Sequence, residues 1–280
     1  MLFRNILMCR PAFFNVIHYK LNAHMLMHKN VNYGLANQQW ANLVNNLNDC
    51  NVKVNLVKPV KNLVDMVFTA NSAIIYKNKA IVSNFNAIPR KKESNYYKEY
   101  FESQKYDVHM MNYDFEGAGD GLFSHSKKHI WLGYGFRSDL RAQDEIKDII
   151  NDSNLKIHTL KLIDPLWYHL DTCFCPIDQK ELILYKDAFD SESLKEIFSV
   201  YDPDDCIFVS KEDAINFACN SICVPYKGDD NQICIIGHSF SDELKNTFRY
   251  RGWKFIENNM KQFLLSGGST KCSVIDIEKK

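Results

Sequence analysis

The sequence predicts an α/β fold closed into a ring of mixed strand-and-helix units, and three observations lead there. Polar side chains end apolar runs at Asn22, Asn71, Asp120, Asp171, Asn220 and Cys272, which lie 49, 49, 51, 49 and 52 residues apart. Polar groups at strand ends, repeating at about 50 residues, are what a closed ring of supersecondary units presents at one central site. Strand-like and helix-like segments alternate along the chain, and no Pro/Gly/Ser-rich linker or long block of like charge divides it. Length alone suggests two domains at about 150 residues each. The period replaces that with one domain over residues 1–280, made of five units of about 56 residues each, with Asn22 and Cys272 in the same closing unit.

Each element has its own signal. Asn51 to Val60, NVKVNLVKPV, alternates with the period of a strand and stops at Pro59. Trp40, Leu43, Val44 and Leu47 fall at i, i+3, i+4 and i+7, the stripe of a helix packed on a core. KAIVSNF, HIWLGYG and CIFVS read as short buried strands with turns between them. Ser191 to Phe198 reads as a helix with Ser191 as N-cap and Leu194, Ile197 and Phe198 on its inner side.

Composition bounds the function. Hydrophobic residues at 46% and charged residues at 24% are those of a globular chain able to bury a core. Thirty-four basic residues balance thirty-four acidic ones, so no global field draws the protein to nucleic acid or to an anionic membrane. The first segment is interrupted by Arg4, Asn5, Arg10 and Pro11. It therefore lacks a signal-peptide core and the roughly 18 apolar residues of a spanning helix, and reads as mature sequence. Nine cysteines, an odd and scattered set, read as reduced thiols of a cytoplasmic protein rather than as a disulfide framework.

Four strings carry chemistry: VDMVFTAN (Val64 to Asn71), FEGAGD (Phe115 to Asp120), YHLDTCFCP (Tyr168 to Pro176) and LLSGGSTKC (Leu264 to Cys272). They combine carboxylates, a histidine beside a carboxylate, and a cysteine behind a glycine pair, which is a nucleophile with an acid/base partner and cation-binding groups. With MCRPAFFNV and GFRSD they arrive in the order found in the guanidino-group modifying superfamily, which the chain resembles from about Met8 onward. That superfamily includes arginine deiminases, dimethylarginine dimethylaminohydrolases, amidinotransferases and arginine dihydrolases. The resemblance implies a five-bladed α/β propeller of ββαβ units, catalysis without metal or organic cofactor, and a small-molecule guanidino substrate, with a homo-oligomer possible.

By that resemblance Cys272 is the nucleophile, His169 the acid/base, and Glu116 and Asp171 the carboxylates that hold the substrate guanidinium. Such a cation presents five N–H donors in a fixed fork, which carboxylates accept bidentately. Asp120 either joins them, holds the His169 ring in its productive tautomer or braces its loop. Arg90 and Arg137 match positions that hold the substrate α-carboxylate, and Asn22 a position near its amino-acid end. Asp65, Phe68 and Gly267 are further substrate-binding positions, Gly267 and Gly268 letting the backbone approach closely. Asn71 stands where deiminases carry an aspartate, and this form resembles the arginine dihydrolases, which hydrolyse arginine twice to ornithine, carbon dioxide and ammonia. An amide can donate to the carbonyl of a neutral urea as well as accept from it, whereas a carboxylate only accepts.

Ordinary readings stand beside these. Cys9, Cys50, Cys206, Cys219, Cys223 and Cys234 read as small core residues. Cys173 and Cys175 with His169 invite a metal, but no second pair at ligand spacing appears, and two cysteines of a strand beside the site is the plainer reading. His169 and Asp171, two apart, would share one side of a strand. Arg137 has a structural partner available in Asp139, and Asn220 follows the period with backbone support as its expected role. The competing functions are a dimethylarginine hydrolase, an amidinotransferase, a retired scaffold that senses arginine or ornithine, and a redox or zinc protein.

Overall fold

A computed structural model describes residues 2–17, 22–25 and 30–278. Among the described residues fifteen strands form five three-stranded sheets arranged as repeated units of one propeller-like α/β fold. In the second unit Ala73–Tyr76 pairs antiparallel with Lys79–Val82, which pairs parallel with Asp107–Met110. The helix Glu93–Ser103 makes the crossover, as a parallel connection requires. The third unit repeats this with Gly121–Phe123, His129–Tyr134, the helix Ala142–Ile150 and Lys156–Lys161. The fourth uses Phe174–Pro176, Leu182–Leu184, the helix Ser191–Phe198 and Cys206–Phe208. Ile222–Tyr226, Asp229–Gly237, the helix Asp242–Tyr250 and Lys254–Glu257 make the fifth.

The first unit is assembled from both ends of the chain. Asn5–Cys9 pairs parallel with Lys53–Val57 across the helix Tyr33–Asp49, and its inner neighbour is Ile275–Asp276, paired as Ile6 with Asp276 and Leu7 with Ile275. The closing unit expected from the period is therefore present. The period itself has a structural cause: Asn71, Asp120, Asp171, Asn220 and Cys272 each stand one to three residues before an inner strand. Asn22 is the exception, since it belongs to the segment before the first helix and no inner strand follows it.

Local expectations hold with two corrections. The stripe residues Trp40, Leu43 and Leu47 are buried on the helix that Asn32 caps by accepting from Leu35 N–H at 3.0 Å. Asp190, not Ser191, caps the fourth-unit helix, its carboxylate accepting from Ser193 N–H at 2.8 Å. Asp and Ser are comparable N-caps, and the residue with extended backbone takes the role. His169 and Asp171 do not share a strand. His169 has extended backbone and Leu170–Thr172 is a 3₁₀ turn, so the two side chains leave in different directions, to Glu116 and to Cys272. All nine cysteines are buried and free of disulfides. No described helix is long and apolar enough to cross a membrane.

Large aromatics pack between sheets: Trp131 lies 5.3 Å from Phe174 and 5.7 Å from Tyr201. Close approach at the axis needs Gly117, whose φ is +54° and whose added Cβ would fall 2.6 Å from Ala73 N. Gly117→Ala is expected to cost about 2 kcal/mol or more, read as a lowered urea midpoint. An unchanged midpoint would contradict this account of the axis.

Candidate active site

The polar residues before the inner strands converge at the axis. Cys272 sits in the 3₁₀ turn Lys271–Ser273. Its sulfur lies 3.5 Å from Asp171 Oδ2 and 3.2 Å from the Asn220 amide nitrogen. Lys271 is buried beside it, its ammonium donating to Ala118 O at 3.1 Å. Burial pushes the Cys272 thiol well above its ordinary range and the Asp171 charge adds to this, while the Ser269 backbone, Asn220 and Lys271 pull the other way. Burial likewise raises Asp171, to about 6, against the opposing pull of Lys271. In the free protein the pair is therefore a thiol beside a carboxyl group that is ionised at neutral pH.

His169 donates from Nε2 to Glu116 Oε2 at 3.0 Å, because that carboxylate is ionised and can only accept. This fixes the tautomer and leaves Nδ1 as the basic nitrogen. Burial would raise Glu116, but the Arg137 guanidinium and His169 outweigh it and hold the carboxyl well below the usual range. His169 is pushed down to about 4, by burial first and then by Arg137, so the ring is neutral at neutral pH.

These contacts correct the expected division of charge. Glu116 and Arg137 do not stand at opposite ends of a substrate: they form one buried ion pair, with Nη2 to Oε2 at 2.6 Å and Nε to Oε1 at 2.9 Å, and Arg137 lies over the Tyr168 ring. Glu116 thus serves His169. Arg141, not Arg137, pairs with Asp139. Arg90 is likewise engaged internally, with Glu93 at 2.8 Å, the Asn71 side-chain oxygen at 2.7 Å and the Asp65 and Phe68 carbonyls. Asp120 accepts from Ser138 Oγ at 2.6 Å and from Leu170 N–H at 3.0 Å, while His169 Nε2 is 3.9 Å away. Of its three expected roles the geometry fits the brace.

The remaining candidates gather beside the cysteine loop. Asn22 donates to Ser266 O at 2.9 Å, and Ser266 Oγ lies 3.3 Å from Asp65 Oδ1. Gly267 has φ +72°, and a Cβ there would fall 2.5 Å from Asn22 Oδ1; one on Gly268 would fall 2.2 Å from the Phe68 ring. Both glycines are thus required by close approach. Tyr168 donates its hydroxyl to Gly267 O. The sequence reading left Asn220 without a chemical role and singled out neither Lys271 nor Tyr168. The period pointed to Asn220; nothing in the sequence pattern pointed to the other two.

The buried side-chain atoms without a hydrogen-bond partner among the described residues include three at the axis: Asp171 Oδ1, His169 Nδ1 and Asn71 Nδ2. They are an acceptor, a base and a donor. Two of them flank Gly119, where an added Cβ would lie 2.3 Å from Asn71 Nδ2 and 3.2 Å from His169 Nδ1. Buried polar atoms are normally satisfied, so a cluster of this kind marks where a polar ligand belongs. No group of three or more potential metal-ligating side chains occurs among the described residues.

Comparison with known proteins accords with this geometry. Residues 18–279 match the family described as N,N dimethylarginine dimethylhydrolase, eukaryotic. Over 276 residues, 97% of the chain, it is 37% identical to the bifunctional arginine dihydrolase/ornithine cyclodeaminase ArgZ of Synechocystis, of whose length it spans 37%. It is 30% identical to the N(G),N(G)-dimethylarginine dimethylaminohydrolase of Mycobacterium tuberculosis, covering 98% of this chain and 86% of that protein. Among solved structures, the substrate-bound N-terminal domain of ArgZ, in a cysteine-to-serine mutant, superposes with a TM-score of 0.90 at 35% identity over 98% of both chains. The chain belongs to the dimethylarginine dimethylhydrolase family, within the guanidino-group modifying superfamily.

Proposed function

We propose that the protein is a cysteine-dependent guanidino hydrolase that takes arginine through two hydrolytic steps to ornithine, carbon dioxide and two molecules of ammonia. The observation that carries this reading is a set of three buried atoms at the axis without a hydrogen-bond partner: Asp171 Oδ1, whose carboxylate touches the Cys272 sulfur, to accept from a guanidinium, and, around Gly119, His169 Nδ1 to take a proton and Asn71 Nδ2 to donate. Relatives similar to the chain over nearly its whole length include arginine dihydrolases, and the N-terminal domain of one of them, ArgZ, is solved both bound to its substrate and covalently bound to a reaction intermediate.

In this mechanism the guanidinium enters against Asp171 and supplies the second positive charge, after Lys271, that lets Cys272 ionise beside a carboxylate. The thiol proton passes to His169 Nδ1, and the imidazolium so formed is held by Glu116, itself neutralised by Arg137. The thiolate adds to the guanidinium carbon, and His169 returns the proton to a terminal nitrogen, which leaves as ammonia. His169 then removes a proton from water attacking the thiouronium carbon, giving bound citrulline and free sulfur. Asp65 and Asn22, at the cysteine loop, are assigned to the amino-acid end. Arg90 and Arg137 act on the substrate through Asn71 and Glu116.

The second step separates this reading from a deiminase. Arg90 takes the Asn71 oxygen as acceptor, so the amide nitrogen is the group left to face the substrate. An N–H aimed there donates to the urea oxygen of citrulline, which a carboxylate would repel. Attack by Cys272 on that carbon expels the second ammonia and leaves a thiocarbamate. Its hydrolysis gives a carbamate that loses carbon dioxide to yield ornithine.

Three outcomes test this. Purified protein given arginine should form ornithine with two equivalents of ammonia, and should convert citrulline to ornithine; citrulline as the end product, or dimethylamine released from dimethylarginine at a higher kcat/KM, would contradict it. Asn71→Asp should shift the product from ornithine toward citrulline, resolved by chromatography of the amino acids. Asp171 must be ionised to hold the cation, and its carboxyl is raised to about 6, so kcat/KM for arginine should fall as the pH drops through about 6. A profile flat across that range would remove Asp171 from guanidinium binding.

A further inference from the structure

Asn220 is fully buried and uses each of its side-chain valences at the nucleophile. Its amide nitrogen donates to the Cys272 sulfur at 3.2 Å and to Asp171 O at 3.0 Å, and its oxygen accepts from Cys272 N–H at 3.2 Å. The assignment of nitrogen and oxygen is determined by chemistry. A flipped amide would set its oxygen against a carbonyl and a sulfur while its N–H faced another N–H. The backbone of Asn220 is also fixed: its N–H donates to Phe217 O at 3.0 Å, its carbonyl accepts from Lys271 N–H at 3.1 Å, and Phe217 is held at φ +61°. One side chain thereby joins the peptide of the guanidinium-binding carboxylate to the sulfur and the backbone of the nucleophile.

The charged groups facing the sulfur are Asp171, which opposes a thiolate, and Lys271, which favours it. A donor to sulfur that carries no charge stabilises the thiolate without competing with the guanidinium for Asp171. We propose that Asn220 is a catalytic residue, its amide N–H bonding the Cys272 thiolate and aiming it at the substrate carbon. This rests on Cys272 being the nucleophile.

The test uses Asn220→Ala and the isosteric Asn220→Asp, which places an oxygen where the N–H had been. Three quantities are measured: steady-state kinetics with arginine, the pH dependence of iodoacetamide alkylation at the Cys272 peptide, and arginine affinity in a Cys272→Ser background. A hydrogen bond to a charged group is strong enough for both variants to lose about 10- to 100-fold in kcat with KM within about twofold. The alkylation midpoint should rise by about one pH unit, with arginine affinity in the serine background unchanged. If Asn220→Asp folds and binds arginine but keeps both kcat and the alkylation midpoint, the proposal is overturned. It is equally overturned if the losses follow a lowered thermal midpoint and a raised KM while the alkylation midpoint stays put. Turnover by Cys272→Ser alone would instead remove the nucleophile assignment on which the proposal stands.

Discussion

Ring closure sets the position of the nucleophile. Only two residues, Ile275 and Asp276, form the inner strand of the first unit, and they pair with a strand more than 260 residues earlier in the chain. Cys272 lies three residues before that strand, so the sulfur is placed by a contact between the two ends of the chain. The buried Thr69 hydroxyl reinforces the seam, lying 2.9 Å from both Leu7 O and Ser273 O. It ties the turn before the second unit's inner strand to the closing one. Asn71, Glu116, Asp120, His169, Asp171 and Asn220 reach the axis from turns before other inner strands.

Charge at the axis is arranged by the same convergence. The Glu116 and Arg137 charges cancel within the protein, and Arg90 and Glu93 form a second buried pair. Breaking a buried pair by removing one partner strands the other, so these pairs fix geometry more than they add net stability. Asp171 differs: it has Lys271 nearby, but one carboxylate oxygen has no partner among the described residues. The balanced composition thus conceals two buried ion pairs at the axis. In the proposed mechanism Asp171 is the carboxylate that meets the substrate cation.

The fold was legible because the repeat leaves a chemical mark: the inner strands, the two-residue Ile275–Asp276 aside, are apolar and begin just after a polar residue aimed at the axis. Asn71, Asp120, Asp171, Asn220 and Cys272 follow that rule, and Asn22, which matched the spacing, does not. Cys272, His169 and Asp171 were legible through their motifs, and the glycine pair through its need for close backbone approach. Pairing of charges was not legible, because sequence names carboxylates and guanidinium groups without saying which meet. Glu116 and Arg137 come from turns 21 positions apart, and the antiparallel pairing of Gly121–Phe123 with His129–Tyr134 in the third unit brings them together. The Arg90 and Glu93 pair is local, three positions apart, yet the run RKKE reads equally as a solvated surface. Asn220 showed its place but not its role, since an amide's partners depend on orientation.

The central claim is that one sulfur carries both hydrolytic steps. Rapid acid quenching during turnover of arginine, followed by mass spectrometry of the peptide containing Cys272, tests it most directly. Two adducts are expected on that cysteine, one equal to arginine less ammonia and one equal to citrulline less ammonia, with only the second formed from citrulline. Ornithine accumulating while Cys272 stays unmodified at every quench time, or an adduct on another cysteine, would contradict it.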